Sequence, residues 1–191
     1  MPRISRRALP APTIALARYL IGTLLVHATP AGRISGRIVE TEAYPPGDPT
    51  GYARPGLTTS NAPLFAERGT AYVRMVYGTC LTLNLAAEAA GVGAAVLIRA
   101  LEPVEGIELM RKARPASRPR DLARGPGRVC AALGIGRALS GIDLCASRIL
   151  WLERMPGAVM IQVTTRIGLS RDQHRRLRFI ERGSPFVSVP P

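Results

Sequence analysis

The chain has 191 residues, of which 47% are hydrophobic, so it can form one domain with a proper core and is too short for several large domains. Its formal net charge is +13, and almost all of the surplus is arginine, because Lys112 is the only lysine in the sequence. Such a charge favours a polyanionic partner, nucleic acid above all, and argues against a small neutral substrate.

The cysteines and histidines argue against a disulfide framework and against a metal centre. Cys80, Cys130 and Cys145 have spacings that match neither pattern, and His27 and His174 are too far apart in sequence for a local metal motif. We therefore expect reduced thiols, no metal, no cofactor and a cytoplasmic location, associated with the nucleoid if the protein is bacterial.

Residues 1–11 are basic and contain prolines, so we predict a flexible tail that can touch phosphates. Arg18 and Gly22 interrupt the apolar run that follows, which leaves too little to span a bilayer and argues against a signal peptide or membrane contact. The pattern predicts a helix from Ala15 to Ile21, ended by Gly22, and then a strand over residues 23–28.

A second strand is predicted over residues 33–44, which end in the sequence RIVETEAY. Period-2 alternation places four side chains on one face: Ile38, Glu40, Glu42 and Tyr44. The prolines and glycine that follow cannot extend a strand, so Glu42 and Tyr44 lie where the strand opens into a loop, a common position for site residues. Two interpretations remain open: a general base beside a stacking aromatic, or a solvated edge strand whose glutamates discourage aggregation.

A long loop over residues 45–69 comes next, and a loop of this length inside a compact domain is usually functional. Strands over residues 72–77 and 80–86 then form a hairpin with Tyr77 near its tip, and leucines alternate with polar residues along the second strand. An exposed aromatic at this tip is suited to wedging into a base stack, but a tyrosine packed on its neighbours fits the sequence equally well.

An apolar strand over residues 94–101 carries Arg99 near its end, and a buried arginine needs a carboxylate partner, for which Glu42 is a candidate. Proline at position 103 predicts a helix from there to about Ala113.

A basic linker leads to a second helix, which is predicted to begin at Pro126 and to end at Gly134. Its glycine-rich N-terminus, with Arg128, is suited to binding phosphate, although the lysine and hydroxyl of a Walker loop are absent. Strands close the chain over residues 149–153, 159–164 and 177–181.

Seven motifs occur along the chain in the order RIVETEAY, NAPLF, GTAYVRMVYG, VLIRALEPVEGIELMR, DLARGPGRVCAALGI, TTRIG and RGSPFVS. In order and spacing this set resembles the alkyladenine (3-methyladenine) DNA glycosylase family over roughly residues 13–189. The resemblance implies an α+β fold: one mixed domain, residues 12–191, around a curved, mostly antiparallel β-sheet with a few flanking helices. It also implies a monomer that acts on double-stranded DNA containing damaged purines and hydrolyses their N-glycosidic bond, which initiates base excision repair.

The resemblance implies roles for individual residues. Glu42 matches the general base that activates the water attacking C1′ of the deoxyribose, and Arg99 matches the arginine that holds this glutamate and the water. Tyr44 matches an aromatic that stacks on the flipped base, Tyr77 the residue inserted into the duplex, and Asn84 a pocket-floor residue that screens purine substituents.

A further match is the segment containing Gly125, Gly127 and Arg128, which resembles one that lies along the DNA backbone. Extruding a base costs on the order of a few kcal/mol, and a wedge together with such phosphate contacts can offset it.

One carboxylate suffices for hydrolysis when the leaving base is already cationic, because the carboxylate both deprotonates the water and stabilises an oxocarbenium-like sugar. Glu40 lies about 7 Å from Glu42 by strand rise, which resembles the spacing of an inverting carboxylate pair, but we assign Glu40 a structural role. A lyase would need an amine nucleophile, and Lys112 is on a predicted helix far from Glu42 in sequence. We therefore expect a monofunctional enzyme.

Two positions in the base-binding pocket depart from the family pattern. Tyr52 stands where histidine is usual, so a hydrogen bond to the sugar or base edge is kept but imidazole protonation is lost. Arg74 stands where an aromatic is usual, and it can stack on a neutral base but repels a cationic one. We expect a shift towards neutral lesions such as hypoxanthine or ethenoadenine, unless Arg74 faces the phosphates.

Two other functions are compatible with parts of the sequence. A non-catalytic binder of damaged or single-stranded DNA would explain the charge and the altered pocket, but it would not explain the retention of both Glu42 and Arg99. A hydrolase of free nucleosides would leave the net charge of +13 without a purpose.

Overall fold

A computed structural model describes residues 1–115 and 117–190 and shows eight β-strands and three α-helices within these ranges. The strands are β1 (Leu24–Thr29), β2 (Gly32–Tyr44), β3 (Ala71–Val76), β4 (Cys80–Ala86), β5 (Ala95–Glu105), β6 (Leu150–Glu153), β7 (Ile161–Thr164) and β8 (Arg178–Glu181). The α-helices are α1 (Thr13–Leu20), α2 (Ile107–Ala113) and α3 (Pro126–Leu133), and short 3-10 helices occupy Arg6–Ala8, Ala62–Phe65, Pro119–Asp121 and Arg137–Leu139. The predicted α+β class is confirmed.

Strand β2 is the centre of a single antiparallel sheet, in which the main strand order is β3-β4-β5-β2-β1-β6. Strand β5 follows one edge of β2 along nearly its whole length. The other edge of β2 pairs first with β1 and then, from Glu40 to Glu42, with β8, which in turn pairs with β7. Because two different strands share this edge in succession, the sheet curls around the second half of β2, as the family resemblance implied.

The pairing of β2 with β5 contains three register shifts, at Ser35/Gly36, Ile38/Glu40 and Glu40/Thr41. Shifts of this kind bend the paired strands and interrupt the regular alternation of side chains. The alternation therefore does not run unbroken from Ile38 to Glu42, and Ile38 lies in the main hydrophobic core.

Strand β5 continues beyond its predicted end, and the helix predicted from Pro103 is wrong at its start. Pro103 lies in the strand opposite Gly36, at a register shift, and α2 begins only at Ile107. A proline is tolerated at such a position because its missing N–H is not needed by the ladder. Gly36 permits the close approach of β2 and β5 at this point, since a Cβ added at Gly36 would lie 2.9 Å from Cβ of Leu101.

Helices cover the sheet and complete the core. Thr41 donates from Oγ1 to the Ala17 carbonyl at 2.8 Å, which ties β2 to α1, and α3 packs on β4 and β5. Helix α3 begins at Pro126 and ends at Gly134, whose φ of 67° is the left-handed conformation of a helix C-cap, both as predicted. Within the described ranges, none of the helices has the length and apolar content needed to cross a membrane.

Residues 1–11 pack onto the domain, so the predicted flexible tail is wrong. Ile4 and Leu9 are only 2% and 3% exposed and belong to the main core. The Ile4 N–H donates to a carbonyl of β6 at 3.0 Å, and Arg6 forms an ion pair with Asp143 at 2.6 Å. The arginines and prolines suggested flexibility, but burial of the two apolar side chains holds the segment in place.

We expect Leu9→Ala to lower the free energy of unfolding by about 2–4 kcal/mol, because it removes buried methyl groups and leaves a cavity. Urea denaturation followed by circular dichroism measures this. The matched control is Arg7→Ala, since Arg7 is exposed and its replacement should change stability by less than about 0.5 kcal/mol. A Leu9→Ala variant as stable as the wild type would show that the segment contributes little to the core.

Candidate active site

The register shift between Glu40 and Thr41 brings three charged residues together. Glu40 is opposite Ala100 and Thr41 is opposite Ile98, so Arg99 is the extra residue of β5 at this point. Its Nε lies 3.1 Å from Glu40 Oε1 and its Nη1 lies 3.2 Å from Glu42 Oε2. The predicted pairing of Arg99 with Glu42 is confirmed, and Glu40 shares the same guanidinium.

The Glu42 carboxylate has no exposed surface and accepts three hydrogen bonds. Besides Arg99, the donors are the Tyr44 hydroxyl, 2.9 Å from Oε2, and the backbone N–H of Ile167, 2.8 Å from Oε1. Burial raises the pKa of Glu42 above its ordinary value, while Arg99, the Ile167 N–H and the Tyr44 hydroxyl oppose the rise. A raised pKa makes the carboxylate a stronger base for a proton from water.

Glu40 is also fully buried and has its own set of donors. Arg178 donates from Nε to Oε1 at 2.7 Å. Ser188 donates twice, from its backbone N–H to Oε2 at 2.5 Å and from its hydroxyl to Oε1 at 2.8 Å. Glu40 therefore connects β2 and β5 to β8 and to the C-terminal segment.

A cavity of about 140 Å³ lies beside this carboxylate pair. Its lining consists of Tyr44, Thr50, Tyr52, Val76, Tyr77, Thr82, Asn84, Leu97, Arg99, Pro126, Ile167, Gly168 and Leu169. All three donors to Glu42 are among these residues, so Glu42 lies directly behind the cavity wall. Five of the residues selected from the sequence thus meet at one cavity: Tyr44, Tyr52, Tyr77, Asn84 and Arg99.

Asn84 is buried in β4, opposite Tyr72 on one side and Leu97 on the other. Its Nδ2 has no hydrogen-bond partner in the part of the chain that the structure describes. A buried donor without a partner at the wall of a cavity is suited to a ligand acceptor, because leaving it unpaired is costly.

Arg74 is placed differently from the other pocket candidates, because it does not line the cavity. Its guanidinium carbon lies 4.5 Å from the ring centroid of Tyr52, and Nη1 donates to the Tyr72 hydroxyl at 3.1 Å. The rings of Tyr52 and Tyr72 meet edge to face, with centroids 6.2 Å apart. Arg74 therefore contacts Tyr52, which lines the cavity, and is not itself part of the cavity lining.

Tyr77 stands at the tip of the β3–β4 hairpin and is 86% exposed. Its φ of +54° and that of Gly78, +68°, are both left-handed, which suits a tight hairpin turn but is uncommon for a tyrosine. Since the side chain is exposed, packing on neighbours does not account for its position at the cavity mouth.

The glycine-rich segment surrounds the N-terminus of α3, next to the same cavity. Gly125 precedes the helix with a φ of 139°, and Gly127 allows close contact with β4, because a Cβ there would lie 2.9 Å from Cβ of Cys80. The Arg128 side chain is half exposed, with Nη1 3.9 Å from Asp121 Oδ1. Of this segment, Pro126 lines the cavity, whereas Gly127 packs against β4 and Gly125 and Arg128 lie next to the cavity without lining it.

Sequence reasoning missed several residues of the site. Arg166 is buried, donates to Asp48 at 2.9 Å and lies 4.6 Å from the ring centroid of Tyr44. Ile167 and Ser188 contribute backbone N–H groups to the two glutamates. These residues lie in the motifs TTRIG and RGSPFVS, which were the only indication of them in the sequence. A hydrogen bond from a backbone N–H does not depend on residue type, so the sequence does not reveal which residue donates it.

Comparisons with known proteins agree with this geometry. A model of the methylpurine-DNA glycosylase family matches residues 7–185. A protein of Mesorhizobium japonicum, provisionally named a 3-methyladenine DNA glycosylase, is 55% identical over 99% of this chain and 91% of its own length. A protein of Methanocella arvoryzae with the same provisional name is 45% identical over 98% of this chain and 96% of its own length. Human DNA-3-methyladenine glycosylase is 40% identical over 93% of this chain and 65% of the human protein.

The curled α+β fold, the buried carboxylate beside a cavity and these similarities together place the protein in the class of DNA repair glycosylases. The chain belongs to the methylpurine-DNA glycosylase family. The resemblance indicated by the order of the sequence motifs is thereby confirmed.

The raised pKa of Glu42 predicts an effect on stability. Burial disfavours the ionised form of Glu42 in the folded protein, which destabilises the fold. This contribution is absent below the ordinary glutamate pKa of 4.5, grows as pH rises from there, and is complete above the folded-state pKa. We expect Glu42→Gln to unfold at a higher temperature than the wild type at pH 7, and the difference to disappear below about pH 4. Scanning calorimetry at both pH values measures it.

Glu105→Gln is the matched control, with the opposite sign. Hydrogen bonds from Arg33 and Ser35 lower the pKa of Glu105, so its contribution is stabilising above the ordinary pKa and is lost as pH falls. A Glu42→Gln variant that is less stable than the wild type at pH 7 would contradict the expected direction.

Proposed function

We propose that the protein is a monofunctional DNA glycosylase that flips a damaged purine out of duplex DNA and hydrolyses its N-glycosidic bond with a water activated by Glu42. The observation that carries this proposal is the position of Glu42: fully buried, held by Arg99, Tyr44 and Ile167, and directly behind a cavity lined by tyrosines. Tyrosine rings suit a flat purine, and a carboxylate suits the attack of water on a sugar carbon.

The proposed step forms one bond and breaks one. The water oxygen bonds to C1′, its proton passes to Glu42, and the glycosidic bond breaks with its electron pair left on the base nitrogen. Ile167 donates to Glu42 from the fixed backbone, and Arg99 is also held by Glu40. The Tyr44 hydroxyl is therefore the donor that can rotate away, and a water reaches Oε2 by sharing or replacing its hydrogen bond. Arg99 keeps the carboxylate oriented during this exchange.

The surroundings of the cavity support a duplex substrate. Tyr77 at the hairpin tip is positioned to fill the space of an extruded base, and the N-terminus of α3 with Arg128 is suited to a phosphate. Arg54 and Arg171 are exposed on the loops that form other parts of the cavity wall, so the positive charge extends around its mouth.

A lyase step is not part of the proposal. Lys112 lies exposed on α2, and the amine of Met1 lies 3.9 Å from Glu153 Oε2 at β6. Neither residue lines the cavity, so neither amine is placed to form a Schiff base with the sugar. The expected product is an intact abasic site.

We expect Glu42→Gln to reduce abasic-site formation by at least about 100-fold, because a carboxamide cannot take a proton from water. The measurement is single-turnover cleavage of duplex oligonucleotides that carry one lesion, with alkali added to break the strand at abasic sites. Duplex binding by the variant should stay close to that of the wild type. Equal activity in both proteins would remove Glu42 from the mechanism, and strand breaks without alkali would show lyase activity.

The same assay separates the proposal from a non-catalytic binder. A binder would retain the lesion duplex without producing abasic sites from any of the lesions, in the wild type as well as in Glu42→Gln. A steep decrease in affinity with salt is expected of both functions, since phosphate contacts dominate each of them.

The substrate class that we propose is purines whose damaged base is neutral, such as hypoxanthine or ethenoadenine. Each of two cavity tyrosines has a guanidinium against its ring: Arg166 on Tyr44 and Arg74 on Tyr52. A positive charge on one face of an aromatic ring offsets the attraction of the ring for a cation on the other face. A neutral base leaves with negative charge, which the unpaired Nδ2 of Asn84 can help to stabilise.

Arg74→Met should raise the rate of 7-methylguanine excision relative to hypoxanthine excision by about tenfold. A guanidinium about 8 Å from a cationic base, on the far side of a ring, is worth about 2 kcal/mol at an effective dielectric constant of 20, and partial exposure reduces this. The control is Arg54→Met, which removes an exposed arginine from the same depression as Arg74 and should affect both lesions alike. Wild-type release of 7-methylguanine as fast as that of hypoxanthine would contradict the proposed preference.

A further inference from the structure

Glu40 accepts four hydrogen bonds, one more than Glu42, although it does not line the cavity. Its two oxygens accept from Arg99 Nε at 3.1 Å, Arg178 Nε at 2.7 Å, and the Ser188 N–H and hydroxyl at 2.5 and 2.8 Å. It has no exposed surface. Burying a second acidic side chain next to Glu42 is costly, so its presence needs a reason beyond support of the strand.

The charges around Glu42 balance only when Glu40 is included. The charged and titratable groups that surround Glu42 are Glu40 and Tyr44 on β2, Arg99 on β5, Arg178 on β8 and Arg166 in the segment after β7. Arg166 shares Asp48 with Arg175, which leaves Arg99 and Arg178 against the two glutamates. Arg178 pairs with Glu40, and Arg99 pairs with both glutamates. If Glu40 were neutral, Arg99 would be paired with Glu42 alone.

We propose, building on the role proposed for Glu42, that Glu40 is a positioning residue: it holds Arg99 between two carboxylates and so keeps Glu42 basic enough to take a proton from water. The geometry supports this, because Arg99 reaches the two glutamates with different nitrogens, Nε and Nη1, at nearly equal distances of 3.1 and 3.2 Å. Such a shared guanidinium orients Glu42 without neutralising it fully. The negative charge of Glu40 also contributes to the raised pKa of Glu42.

The test is Glu40→Gln, which retains the size of the side chain and removes its charge. The acid limb of the single-turnover pH profile should move down by about one pH unit, because Arg99 then pairs with the Glu42 anion alone and the repulsion by the charge of Glu40 is removed. The rate at pH 7 should fall about tenfold, because a weaker base takes the proton less readily. Carbon-13 NMR of the Glu42 carboxyl in the free protein should show the same downward shift of its pKa without any reference to activity.

The control variant is Glu102→Gln. Glu102 lies on the same strand as Arg99 and is paired with Arg37 away from the cavity, so the acid limb and the Glu42 resonance should not change. A slower Glu40→Gln enzyme with an unchanged acid limb and an unchanged Glu42 pKa would show a merely structural role and would overturn the proposal.

Ser188→Ala provides a milder variant in case Glu40→Gln does not fold. It removes one donor from Glu40 Oε1, which then holds Arg99 more strongly and draws it from Glu42. The acid limb should shift upward by a few tenths of a pH unit, opposite to Glu40→Gln. No shift or a downward shift would contradict the shared-guanidinium arrangement.

The two proposals fail in distinguishable ways. Full activity of Glu42→Gln would overturn the role of Glu42, while the NMR titration would still measure whether Glu40 acts on Glu42. An inactive Glu42→Gln combined with an unshifted Glu42 resonance in Glu40→Gln would overturn only the role of Glu40.

Discussion

Two glutamates buried on one strand are the constraint on which the rest of the structure depends. Uncompensated carboxylates in a protein interior are very costly, so each one has to be matched by hydrogen-bond donors and positive charge. The fold meets this requirement with parts from distant places in the chain: Arg99 at an irregularity of β5, Arg178 on β8, and the backbone N–H groups of Ile167 and Ser188. The curl of the sheet around the second half of β2 is what allows these donors to converge.

The same arrangement separates a rigid centre from an exposed rim. The glutamates and their arginines are almost completely buried, whereas Tyr77 at the hairpin tip is open to solvent. The roles proposed for these residues fit this division: a proton acceptor benefits from a fixed orientation in a dry site, and a residue that would enter a duplex has to be accessible to DNA. The cavity lies between these two regions, with tyrosine rings as its walls.

Arginine serves two purposes in this chain, and the structure distinguishes them. The buried arginines Arg99, Arg166 and Arg178 are matched by the buried acids Glu40, Glu42 and Asp48, so together they add nothing to the net charge. The surplus of +13 therefore belongs to the remaining arginines, most of them at the surface, where they can meet a polyanion. Arg74, on the Tyr52 ring, is partly buried and lies between these two groups.

The sequence by itself determined the α+β class, most strand positions, the bounds of α3, the family, and the need of Arg99 for a carboxylate, with Glu42 as a candidate. These follow from local patterns: period-2 alternation, a proline and a glycine at the ends of a helix, and the need of a buried arginine for a carboxylate. Only the tertiary structure decided that Pro103 stays in a strand, that Ile4 and Leu9 anchor the N-terminus, that Arg74 packs on the Tyr52 ring, and that Glu40 shares Arg99. Each of these depends on a contact between residues distant in sequence or on a strand irregularity, and neither is encoded in the spacing of residue types along the chain.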